Sequence, residues 1–124
     1  MESGERGRAL GTEDRGNRKY SEAWLLRRVS VPDAFFFFRD PESYTGRYAV
    51  SLDDLCEKFG LVPVESVEFH FRRSDIEKWI GRIIGDRSLA EMLAAVDRSL
   101  RGEELRAAVT MIIQGRLGEL RRKL

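Results

Sequence analysis

The stretch Phe69-His70-Phe71-Arg72-Arg73-Ser74-Asp75 holds the chain's single histidine, two arginines and an aspartate within seven positions. An imidazole hydrogen-bonded to a carboxylate has its tautomer fixed and can act as a general base. His70 and Asp75 face each other across an expected turn, so with Arg72 and Arg73 they form the one cluster from which a small enzyme could be built. Beyond that pair the chemistry thins out. No serine or cysteine nucleophile is placed beside the pair, no second histidine exists, and the Ser74 hydroxyl is expected to cap the helix that follows. A structural His70 that holds the turn through hydrogen bonds is the favoured reading. Asp86, after Gly85, reads as a helix cap, because one isolated carboxylate lacks the several oxygens that calcium or magnesium requires.

The remaining composition narrows the function classes. Cys56 is the only cysteine, so an internal disulfide is excluded and no Cys/His set for zinc exists. It falls on an apolar helical stripe and reads as a small buried hydrophobe. Neither a metal nor a cofactor is expected. Lys and Arg total 22 against 21 Asp and Glu, a net charge of +1, so no global field draws the chain to nucleic acid or to an anionic membrane. Local basic clusters do exist. Arg72, Arg73, Lys78 and Arg82 surround Trp79 but are interspersed with Glu68, Asp75 and Glu77, while Arg121, Arg122 and Lys123 complement the negative end of a helix. Trp79 belongs to an apolar stripe, and no glycine-rich phosphate loop or aromatic RNA-binding strand is present. A nucleic-acid-binding adaptor is therefore a disfavoured class. The N-terminus lacks the apolar run of a signal peptide, and no later run approaches the ~18 apolar residues of a membrane span, which predicts a cytoplasmic protein without membrane contact.

The elements that must position His70 follow from periodicity. Residues 1–19 are glycine-rich and charged with almost nothing apolar, which predicts a flexible, disordered tail ahead of a single domain over 20–124. Within 20–31 a short amphipathic helix is preferred to an extended arm. Four consecutive phenylalanines, 35–38, then a turn built on Asp40, Pro41, Ser43 and Gly46, and a second short strand over 47–50, predict a β-hairpin. Alternation places Phe35 and Phe37 on one face and Phe36 and Phe38 on the other. One face is expected to be covered by helices; the other needs the N-terminal arm or another molecule.

From Ser51 the period changes to about 3.6, the signature of helices. Ser51 and Asp54 open one that carries Leu52, Leu55, Cys56 and Phe59 and stops at Gly60. Residues 63–71 fit either a strand, through alternating Val67, Phe69 and Phe71, or a helix whose first turn holds Pro63 and Glu65; helix is favoured. Ser74 and Glu77 form a capping box before Ile76, Trp79, Ile80, Ile83 and Ile84, with Gly85 as the stop. Asp86 or Ser88 caps a helix through Leu89, Met92, Leu93, Val96 and Leu100 that ends at Gly102. A last helix from Glu103 turns Leu105, Val109, Ile112, Ile113, Leu117 and Leu120 inward. Gly115 and Gly118 weaken it by about 1 kcal/mol each relative to alanine.

Taken together, FFFF, then YTG with SLDDL, then VESVEFHFRRSDIEKWIGRIIGD followed by SLAEML resembles a family of uncharacterised prokaryotic proteins classed as a domain of unknown function. The resemblance covers about residues 34–100 and is most specific from His70 to Asp86. It implies a reusable module and no catalytic residues. Ser74 departs from it, since glycine is expected at that turn.

The sequence thus predicts an α+β domain, a short aromatic hairpin packed against about four α-helices. Its expected function is that of a non-enzymatic protein-interaction or regulatory module. Phe36, Phe38 and Tyr44 are the candidate contact residues, and a protein partner or a homo-oligomer would use the Phe35–Phe38 strand. An enzyme using His70 with Asp75 is the alternative.

Overall fold

The computed structural model describes residues 21–124; the tail expected over 1–19 lies outside the described residues. Aromatic residues favour the pleated, half-buried surface of a strand, and they build β1 (Phe35–Asp40), which pairs antiparallel with β2 (Ser43–Ala49). Pro41 cannot donate to a ladder and ends β1 as expected. The turn is tighter than the sequence suggested. Asp40 Oδ1 accepts the Glu42 amide at 2.9 Å, so β2 begins at Ser43 and not at Arg47. Gly46 therefore lies within β2 and not in the turn. The register slips between Phe36 and Phe38, and Gly46, at φ +87°, absorbs the extra β2 backbone in a bulge.

Among the described residues six α-helices accompany the hairpin. The arm forms α1 (Glu22–Leu25), capped by Ser21 Oγ, followed by a 3-10 turn at Val31–Asp33. Arg27 pins this arm to the body by donating to the carbonyls of Ile83 and Ile84 at 2.7 and 2.9 Å. α2 (Leu52–Phe59) starts at Ser51, whose Oγ accepts the Asp54 amide at 3.0 Å, and buries Leu52, Leu55 and Phe59. Of residues 63–71, Pro63 is extended and 64–71 are helical. In α3 (Val64–Arg73) Val67, His70 and Phe71 are buried together on the face that lies across β1.

The expected Ser74–Glu77 capping box does not form. Ser74 sits in the left-handed region at φ 60°, ending α3, and its hydroxyl makes no cap bond to α4 (Asp75–Trp79). Ile80–Ile84 then forms a π turn in place of continued α-helix, with the Gly85 amide on the Ile80 carbonyl at 2.8 Å.

α5 (Arg87–Ala94) is capped by Asp86 Oδ1 on the Leu89 amide at 3.0 Å. It ends at Ala94, well short of Gly102. Asp97 Oδ1 accepts both the amide and the hydroxyl of Ser99, at 2.9 and 2.8 Å, and this local turn competes with helix. Met92, within α5, is exposed, whereas Val96 beyond its end still reaches the core. α6 (Gly102–Arg122) buries Leu105, Val109, Ile113, Leu117 and Leu120 against the earlier helices. Burial of Leu117 and Leu120 fixes the turns that contain Gly115 and Gly118. One continuous core from Leu25 to Leu120 lies between the inner face of the hairpin and the helices. Among the described residues no helix is long and apolar enough to cross a membrane.

Candidate functional site

His70 is placed by α3 directly beneath β1, and its side chain is only 6% exposed. The Phe38 amide donates to Nε2 at 2.9 Å. Because a backbone N–H can only donate, Nε2 carries no proton. Nδ1 therefore holds it and donates to Asp75 Oδ2 at 2.8 Å. Arg73 Nε donates to the same oxygen at 3.0 Å, and the Arg73 guanidinium lies over the Phe69 ring at 4.9 Å. Phe35, Phe37 and Phe69 meet the imidazole edge to face at 4.8, 6.0 and 5.0 Å. Burial pushes the His70 pKa below its ordinary value, and the Asp75 carboxylate opposes this only in part. The ring is thus neutral, fixed in one tautomer and spent at both nitrogens. A proton acceptor needs a free lone pair, and Nε2 has given its own to the β1 backbone.

The sequence cluster divides. His70, Arg73 and Asp75 come together, whereas Arg72 points away, exposed, with Glu68 4.0 Å off. An open groove of about 380 Å³ runs between β1 and the end of α3, lined by Phe35, Phe36, Phe38, Phe69, His70, Arg73 and Asp75, with Ala34 and Pro41. Its walls are mainly aromatic.

The outer face of the hairpin carries a second aromatic group. Phe35 and Phe37 point inward to the core, while Phe36 and Phe38 are only partly covered and Tyr44 and Tyr48 are exposed. These four rings touch in series: Phe38–Tyr44 at 5.2 Å, Tyr44–Phe36 at 6.0 Å and Phe36–Tyr48 at 5.6 Å. Such pairs add about 0.5–1.5 kcal/mol each beyond area burial, which favours this ring series over separated side chains. Of its members, sequence reasoning named Phe36, Phe38 and Tyr44 and missed Tyr48. The signal that identifies Tyr48 is register: it pairs with Phe36, and directly opposed residues share a face.

Beside Tyr48 a pocket of about 420 Å³ is bounded by Arg28, Arg47, Lys58 and Asp54, with Gly46 and Val50. The Asp54 carboxylate is already engaged by Lys58 and, at 3.0 Å, by the Val50 amide. Burial works to raise the Asp54 pKa, but these bonds and the nearby Arg28 charge outweigh it, so the carboxyl is held below its usual range. Arg28 and Arg47 form no ion pair among the described residues. No sequence pattern marked this pocket, because its cations come from the arm, from β2 and from α2.

Two further candidates resolve as architecture. Asp86 caps α5 as expected, but it is also fully buried and forked by Arg116, whose Nε and Nη2 donate at 2.7 and 3.1 Å. Cys56 is half-buried on α2, and burial pushes its thiol pKa up, away from the reactive thiolate. Among the described residues no group of three or more His, Cys, Asp or Glu side chains is placed to hold a metal. No family model, curated protein or solved structure matches this chain.

Proposed function

We propose that this chain is a non-enzymatic protein-interaction module whose contact surface is the outer face of the hairpin: Phe36, Phe38, Tyr44 and Tyr48. The observation that carries the reading is the contrast across one strand, with Phe37 wholly buried while the rings on the opposite face stay open. Tyrosines present large amphipathic area with little rotamer entropy to lose, which suits them to contact surfaces. The ribbon that bears them is held rigid from below, by His70 on the Phe38 amide and by Phe35 and Phe37 in the core. On this reading the His70–Asp75 pair serves display and not reaction.

The test is site-specific photocrosslinking. A benzophenone side chain at Tyr44 or Tyr48 is compared with one at Met111, an exposed α6 position. Discrete adducts from the hairpin positions alone, lost on Phe36→Ser, are expected. Equal adduct patterns at all three positions would overturn the reading.

A further inference from the structure

The charges along the hairpin have a direction. At its tip Asp40 and Glu42 flank Pro41, both exposed and neither in an ion pair among the described residues; Arg39 lies beside them, and Arg73, which shares the groove with Pro41, is already paired with Asp75. At its base lies the pocket of Arg28, Arg47 and Lys58, whose single carboxylate is already taken. The ring series from Phe38 to Tyr48 runs between these two ends.

A surface that is acidic at one end, basic at the other and aromatic between is complementary to itself when turned through a twofold axis. We propose, resting on the interaction reading above, that the partner is a second copy of this chain. The two hairpins dock face to face and antiparallel, so that Glu42 of each approaches Arg47 of the other and the aromatic rows are buried between them. Edge-to-edge pairing along β1 is interrupted. His70 occupies the Phe38 amide on the outer edge of β1, and the arm caps the β2 end through the Val29 amide on the Val50 carbonyl at 2.8 Å.

Area sets the strength. A stable interface takes about 800 Å² from each partner, more than four partly covered rings supply, so the rims of the groove and of the basic pocket must take part. The expected dimer is weak, with Kd in the range of about 10–100 μM.

Sedimentation equilibrium of the full chain across that range tests this. A monomer–dimer equilibrium is expected that weakens roughly 10-fold between 50 mM and 0.5 M NaCl, as screened ion pairs do. Glu42→Lys and Arg47→Glu, at exposed positions whose side chains bond nothing among the described residues, should each be monomeric alone. Mixed in equal amounts they should recover a dimer, because each tip then meets a base of opposite sign. Tyr44→Ser should abolish association in either background.

A wild-type chain that stays monomeric at ~500 μM, above any Kd in that range, overturns the proposal. So does a dimer indifferent to Tyr44→Ser, or a charge-reversed mixture that fails to pair. A monomeric wild type that still crosslinks another protein from Tyr44 defeats the second copy while leaving the docking face in place. Loss of both signals defeats both.

Discussion

His70 is the residue on which the display of the hairpin turns, and its replacement has a calculable cost. In His70→Ala the Phe38 amide loses its acceptor, and an unsatisfied buried donor costs about 1–3 kcal/mol. The edge contacts with Phe35, Phe37 and Phe69 vanish as well, and the space left under β1 adds roughly 1–2 kcal/mol. The Asp75 carboxylate keeps Arg73 and is not orphaned. The sum, about 2–5 kcal/mol, is a large part of the ~5–15 kcal/mol that holds a domain of this size. Two amide variants divide the total. Gln can bring its oxygen to the position of Nε2 and accept from Phe38, whereas Asn can donate to Asp75 in place of Nδ1 but cannot reach the strand. Urea denaturation followed by circular dichroism should rank stability as wild type, then Gln, then Asn, then Ala. Asn equal to or better than Gln would refute the primacy of the Phe38 bond, and so would an Ala variant within about 0.5 kcal/mol of wild type. Nitrogen-15 spectra provide a direct check, since a proton found on Nε2 contradicts the derived tautomer.

Two other outcomes follow from the same region. Ser74 is the one non-glycine residue with positive φ among the described residues and uses no side-chain bond there, so Ser74→Gly should remove left-handed strain and stabilise the fold by about 0.5–1 kcal/mol in urea denaturation; a loss of stability would contradict this. Acid should weaken the fold. The His70 pKa is lowered in the folded state, so the unfolded chain takes up its proton first; the stabilisation is complete above ~6.5 and falls with pH at up to about 1.4 kcal/mol per unit, until the folded-state pKa is passed. His70→Gln should flatten that part of the profile, and an unchanged slope would assign the acid sensitivity to other groups.

Local periodicity carried most of the architecture: the Leu52–Leu55–Phe59 stripe, the long α6 stripe and the alternating phenylalanines all lie where 3.6- and 2-residue patterns place them. The hairpin existed in the sequence, but its register did not, because the Asp40 carboxylate on the Glu42 amide and the positive φ of Gly46 select one turn and one bulge among several that the spacing would permit. Likewise α5 stopped early at the Asp97–Ser99 turn, where a polar side chain outcompeted a helix that hydrophobic spacing alone would extend.

Long-range partners were the harder part. Asp86 was legible as a cap from its neighbours, but its second role depends on Arg116, 30 positions away on a helix face whose spacing gives no sign of it. Arg116 is correspondingly held: burial alone would lower its pKa, and the bonds to Asp86 and Glu119 more than reverse that. His70 shows the same limit at the candidate site. Its likeness to a general base came from Asp75, five residues on, while the fact that decides its role is an amide 32 residues earlier. A sequence discloses which side chains can bond, and local geometry discloses the near partners. Only the packed strand shows that the lone pair a catalyst would need is already committed to the Phe38 amide.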